Sequence, residues 1–203
     1  MRQKRIKYVT PALLKEKGVV LNVEPLALPK DRPIYLEIGA GKGQFITALA
    51  KAHPDDFFIA LEVNPYVLYR IVEKKEAMEL HNLLIVLGDA KVLDQYINDQ
   101  KIAGLYLNFS DPWPKSKHHK RRLTFPLFLS LYQKILLSDA FIQLRTDHLN
   151  FFLDSLEYLE PMCHFEQITY DLDISPYMTE YEIKKRALGP IYQMKGRIKT
   201  NDS

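Results

Sequence analysis

Residues 108–122 read NFSDPWPKSKHHKRR, with Asp111 beside the only Trp of the chain and directly before a block of cations. Pro112 and Pro114 fix φ on either side of Trp113 and stiffen the turn. Trp113 offers a flat apolar face on which a base can stack. Lys115, Lys117, Lys120, Arg121 and Arg122 follow with no acid among them, and cations at that density grip phosphates. A base-sized pocket beside a phosphate grip is what modification of a nucleic acid requires. His118 and His119 lie inside the run without an acid or Cys pattern for a metal, and read as surface or RNA-facing.

A second constellation lies upstream. The stretch EIGAGKG, 37–43, follows an apolar run and precedes a helical pattern. Its glycines let a ligand approach the backbone, and the helix start presents free amide donors. The spacing i, i+2, i+4 is not that of the dinucleotide fingerprint, and no P-loop Lys-Ser/Thr follows. Glu37 sits two residues before Gly39, Glu62 ends the next apolar run, and Asp89 follows the third. An ionised carboxylate only accepts hydrogen bonds, so Glu62 suits the two hydroxyls of a ribose and Asp89 an adenine edge. Acids crowded on one rim repel each other, and a cationic ligand relieves this. S-adenosylmethionine carries a sulfonium and an amino group, whereas the pyrophosphate of NAD would be opposed. Each acid also has a structural alternative: loop bracing for Glu37 and Glu62, helix capping for Asp89.

These residues need a scaffold. IYLEI (34–38), FFIALEV (57–63), LLIVLG (83–88), AGLYLNF (103–109) and AFIQLR (140–145) read as strands, the first four apolar enough to be buried on both faces. Helical spacing occupies 44–53, the stretch from Asn64-Pro65 to about 80, 91–98, 125–136 and 148–159, the last capped by Thr146-Asp147. HFEQITY (164–170), TEYEIKKRALG (179–189) and PIYQMK (190–195) follow as strand, short helix and strand, which can add an antiparallel edge. The alternation predicts an α/β fold: a mainly parallel seven-stranded sheet with helices on both faces. Ligands then bind beyond the carboxyl ends of the strands. Gly39, Gly41, Glu62, Asp89 and Asp111 all fall at or just after such ends.

Composition fits one domain over 34–203 preceded by a basic segment, 1–33. The chain has 203 residues, 47% of them apolar, enough for a full core. Net charge is +3, of which Lys115, Lys117, Lys120, Arg121 and Arg122 give +5 and Arg2, Lys4, Arg5 and Lys7 another +4, leaving −6 elsewhere. Two concentrated cationic segments on an acidic background fit a polyanion bound at a defined place. The lone Cys163, the absence of a secretory signal pattern and of any membrane-length apolar run point to a cytoplasmic protein; the sequence leaves monomer or homodimer open.

With LEIGAGKG, LNFSDPWPK, HHKRRL, RTD and TEYE in this order, nearly the whole chain resembles the tRNA (guanine-N7-)-methyltransferase family, bacterial single-chain type. The resemblance implies a Rossmann-like methyltransferase fold that uses S-adenosylmethionine on a guanine of the tRNA variable loop. It implies cofactor contacts at Glu37, Glu62, Asp89 and Asp111, with Asp111 also catalytic. Substrate contacts would be Lys115, Asp147, Thr179, Glu180, Tyr181 and Glu182, and the RNA-contacting segment Lys117, His118, His119, Lys120, Arg121 and Arg122. No metal is implied. A non-catalytic RNA-binding module would keep the cations but needs no acidic rim. An NAD-dependent oxidoreductase is opposed by the glycine spacing, and methylation of an amino group is the nearest rival chemistry.

Overall fold

The computed structural model describes residues 6–199, so Arg2, Lys4 and Arg5 lie outside the described residues. Seven strands form one sheet: β1 Ile34–Ile38, β2 Phe57–Glu62, β3 Leu83–Leu87, β4 Ile102–Asn108, β5 Leu136–Thr146, β6 Cys163–Thr169 and β7 Tyr192–Ile198. Their spatial order is β3-β2-β1-β4-β5-β7-β6. The first five pair in parallel, and β7 lies between β5 and β6, antiparallel to both. The expected antiparallel edge is thus present, made of β7 and β6, with β7 inserted beside β5 and β6 outermost. Its alternating, mostly exposed HFEQIT pattern fits that position.

Helices α1 Pro11–Glu16, α2 Gln44–Ala52 and α3 Pro65–Ala77 cover one face; α4 Leu93–Ile97, α5 Pro126–Ile135 and α6 Leu149–Leu159 cover the other. A strand's side chains alternate between faces. Along β2, Phe58 and Ala60 accordingly pack with Phe45, Leu49, Leu68 and Ile71, whereas Ile59 and Leu61 pack with Leu105, Ile142 and Phe151. Both faces are thus closed, which is why the central strands read as apolar without alternation.

Three features differ from the sequence reading. Residues read only by their charge contain α1, capped by Thr10, whose Oγ1 accepts a hydrogen bond from Leu13 N at 3.2 Å, with Pro11 in the first turn. Val9, Leu14 and Val19 pack into the α2–α3 layer, and Val20 bridges to Val86 of β3. Helix α5 passes directly into β5, so β5 begins at Leu136, paired with Ile102, before an irregularity restores register at Gly104 and Phe141. The last helix, α7 Glu180–Lys185, is shorter than the predicted 179–189. Among the described residues no helix is long and apolar enough to cross a membrane.

Candidate active site

The carboxyl ends of β1 to β4 open into a cavity of about 830 Å³ lined by Gly39, Glu62, Asp89 and Asp111, together with Phe109, Ser110, Trp113, Lys120 and Arg121. Strand β1 lies between β2 and β4, so the chain crosses from one half of the sheet to the other there, and a crevice must open. The acids and part of the cationic run, far apart in sequence, thus share one wall.

The glycine loop is built for backbone approach. Gly41 and Gly43 hold φ of 57° and 76°, and Gly43 caps the start of α2. A Cβ on Gly43 would stand 2.9 Å from the Ile71 side chain, so the loop also packs closely on α3. Glu62 braces it: Gly41 N donates to Oε2 and Asn64 N to Oε1, each at 2.9 Å. A carboxylate has about four acceptor positions, so Glu62 retains lone pairs toward the cavity. Asp89 is exposed on the rim and caps the short turn Ala90–Val92, accepting from Lys91 N at 3.0 Å, and its other oxygen lies 3.5 Å from Lys91 Nζ.

Glu37 lies deeper, 1% exposed, just before the lining residues Ile38 and Gly39. Gln143 Nε2 donates to Asn108 Oδ1 at 3.4 Å, and Asn108 Nδ2 donates to Glu37 Oε1 at 2.8 Å. Glu37 Oε2 has no donor, and neither has the Ser110 hydroxyl a partner. Burial pushes the Glu37 carboxyl up to about 8, against the lowering effect of the Asn108 hydrogen bond. A buried acid with one free acceptor, beneath a rim of further acids, fits a ligand with an ammonium group and hydroxyls. The residues present therefore suit S-adenosylmethionine: Gly39, Glu62, Asp89 and Asp111 line the cavity, and Glu37 and Gly41 lie directly behind that lining.

The DPWP turn leaves β4 through Phe109, whose φ of 53° is unusual for a bulky residue, as is the 39° of Trp113. Asp111 is exposed and lines the cavity. The Trp113 ring carries the Arg121 guanidinium at 4.9 Å and the edge of His118 at 5.8 Å. The run Ser116–Arg121 winds as a 3-10 turn. Lys115, Lys117, Lys120 and Arg121 are exposed and, among the described residues, have no ion-pair partner. His119 is half-buried. Arg122 departs from the expected phosphate contact: it is 2% exposed, and its guanidinium points inward. No described group of three or more His, Cys, Asp or Glu side chains could hold a metal.

The second half of the predicted substrate side is assembled by α7. Thr179 caps it, accepting from Glu182 N at 2.9 Å. Tyr181 packs on Phe109 at 5.2 Å, and its hydroxyl lies 3.4 Å from Asp147 Oδ2, which Lys185 Nζ meets at 2.8 Å. Glu180 pairs with Lys74, which also donates to the carbonyl of Lys42 in the glycine loop. Glu182 does not face a ligand. It is 0% exposed and accepts from Arg145 Nη1 at 3.1 Å and Arg186 Nη2 at 2.8 Å. Arg145 also donates to Gln193 and to the carbonyl of Tyr177, so it ties α7 and β7 to β5. Asn108, Arg145, Lys74 and Lys185 were not singled out by the sequence. For Arg145 the only signal was its place in RTD.

A glycine loop, an acidic rim at the strand ends and an inserted antiparallel β7 define a Rossmann-like methyltransferase. Solved structures share this fold: 16S rRNA methyltransferase KamB, 15% identical with a TM-score of 0.64 over 97% of each chain, and a putative methyltransferase from Streptococcus mutans in complex with SAH, 13% identical with a TM-score of 0.55 over 83% of this chain and 89% of that one. A family model described as "Putative methyltransferase" matches residues 31–194. Among curated relatives, the tRNA (guanine-N(7)-)-methyltransferase of Lacticaseibacillus casei is 46% identical over 182 residues, covering 83% of this chain and 82% of that protein. That of Geobacillus thermodenitrificans is 47% identical over 165 residues, 78% of this chain and 76% of the relative. That of Staphylococcus haemolyticus is 42% identical over 175 residues, 83% and 82%. The chain belongs to the tRNA (guanine-N(7)-)-methyltransferase family.

Proposed function

We infer that the protein transfers a methyl group from S-adenosylmethionine to N7 of a guanine in the variable loop of tRNA, in the cytoplasm. The supporting observation is that Asp111, Trp113, Lys120 and Arg121 line the same cavity as Gly39, Glu62 and Asp89. The cofactor, when bound, supplies an electrophilic methyl group on a sulfonium. Glu62 accepts from ribose hydroxyls, Asp89 from the adenine edge, and the free oxygen of Glu37 from the amino group.

Guanine N7 has an in-plane lone pair and no proton, so its methylation needs no general base. The protein's task is then orientation and charge. Trp113 stacks the purine, the flanking cations hold the backbone, and their fixed relation aligns N7 with the methyl carbon. Asp111 stabilises the positive charge that grows on the ring. Asp147, Thr179, Glu180, Tyr181 and Lys115 form the far side of the substrate site, Asp147 with a carboxylate suited to the N1 and N2 donors of guanine. Glu182 acts through Arg145 and Arg186, fixing α7 rather than touching RNA. The test is product analysis. Labelled methyl is transferred to bulk tRNA, the RNA is digested, and the modified nucleoside is identified. N7-methylguanosine is the expected product; a methylated exocyclic amine, or no transfer by folded enzyme, overturns the reading.

A further inference from the structure

Arg122 ends the cationic run and is oriented unlike the rest of it. Its Nε donates to the carbonyl of Pro112 at 2.7 Å, its Nη2 reaches the carbonyl of Trp113 at 3.5 Å, and its Nη1 donates to Asp154 Oδ2 of α6 at 2.6 Å. The guanidinium lies over the Phe151 ring at 5.3 Å. A buried guanidinium is tolerated only when its donors find acceptors and its charge a counter-charge. Here both carbonyl acceptors come from the turn that follows Asp111, and the counter-charge comes from a helix of the packed core.

We propose that Arg122 is a positioning residue: with Asp154 it clamps the Pro112–Trp113 turn to α6 and so fixes Asp111 and the Trp113 ring over the cavity. The turn needs such a clamp. Trp113 adopts φ 39°, a conformation that side-chain-bearing residues rarely hold without external support. The two carbonyls that Arg122 engages belong to the peptides on either side of Trp113, so releasing them frees the ring and the carboxylate two residues further back. Lysine cannot replace the fork, because one ammonium cannot span two carbonyls and a carboxylate held at this geometry. The cationic run thus has two functions. Lys117, Lys120 and Arg121 are exposed, the last two on the cavity rim and free for RNA, and Arg122 faces inward to the Pro112–Trp113 turn.

This rests on the proposed function for its catalytic readout, but Trp113 is the only Trp of the chain, so its fluorescence reports the turn without any turnover. The variants are Arg122→Lys and Asp154→Asn in the full chain. Acrylamide quenching of Trp113 is expected to rise in both. kcat for tRNA methylation should fall on the order of tenfold or more in Arg122→Lys and less in Asp154→Asn, since small misplacements of reacting groups carry penalties of this size. KM for tRNA and the salt dependence of tRNA binding should stay at wild-type values. A drop of about 0.7–0.9 in the log–log salt slope of a third, charge-removing variant, Arg122→Gln, would instead mark a phosphate contact and overturn the proposal. Unchanged Trp113 quenching with unchanged kcat would overturn it too. If Arg122→Lys does not fold, the same readouts in Asp154→Asn decide, because Asp154 is partly exposed and its replacement removes the counter-charge that ties Arg122 to α6 without emptying the core. Failure of wild-type methylation would sink the proposed function while the quenching arm still tests the clamp.

Discussion

Glu37 allows one prediction to be worked through with numbers. In the cofactor-free protein its carboxyl titrates near 8, against 4.5 for an ordinary glutamate. Between these values the folded state holds a proton that the unfolded chain has released. The protonated acid's favourable contribution is complete below about pH 4.5 and is lost as pH rises through about 8, so stability of the cofactor-free protein falls across this window. The full span corresponds to roughly 5 kcal/mol at about 1.4 kcal/mol per pH unit. At pH 7 about nine molecules in ten carry the proton. A cofactor ammonium at the free Oε2 requires the ionised form, so binding at pH 7 should release about 0.9 proton, and at pH 9 about 0.1. Calorimetric titration in buffers of different ionisation enthalpy measures this directly. Glu37→Gln keeps the acceptor for Asn108 and mimics the neutral acid. It should preserve stability at pH 7, remove the pH dependence between 4.5 and 8, abolish proton release and weaken cofactor binding on the order of tenfold. A binding enthalpy independent of buffer at pH 7, or a Gln variant with wild-type affinity, would refute the reasoning.

Three further outcomes follow from particular contacts. Lys120→Gln and Arg121→Gln should each lower the slope of log affinity against log salt for tRNA by about 0.7–0.9, measured by filter binding across a salt series, and unchanged slopes would remove both from the RNA contact surface. Gly43→Ala forces a Cβ to 2.9 Å from Ile71 at φ 76° and should destabilise by about 1–3 kcal/mol in urea unfolding, whereas Gly189→Ala, with nothing within 4 Å, should change little. Glu182→Ala leaves the buried Arg145 without its counter-charge and should remove about 3–5 kcal/mol; a loss below about 1 kcal/mol would mean that the Arg145–Glu182 pair does not anchor α7.

The strands and the acidic rim were legible because burial on both faces leaves uninterrupted apolar runs and because each acid sits at a run's end. Asn64-Pro65 was equally readable: Asn64 Oδ1 accepts from Tyr66 N and Val67 N, as the sequence suggested. The orientation of individual charges was not. Nothing local separates Arg122 from Arg121; only the α6 surface, 32 residues on, draws one inward. The i, i+4 pair Glu182–Arg186 is visible in the sequence, but the burial of Glu182 depends on Arg145, 37 residues back. Helix α1 was hidden by attention to charge, although Thr10-Pro11 before an apolar pair is an ordinary helix start. The early start of β5 reflects pairing with Ile102, which no pattern in 136–139 announces.

The position of β7 has a consequence for assembly. Until residues 192–198 are in place, the facing edges of β5 and β6 have no partner, because each of those edges pairs only with β7. Gln193 of the same strand anchors Arg145, which in turn anchors α7. The α7 side of the site is therefore completed by a late stretch of the chain, whereas Glu37, the glycine loop, Glu62 and Asp89 all come from its first half. A nascent chain can thus acquire the glycine loop and the acids beside it before the α7 side is in place.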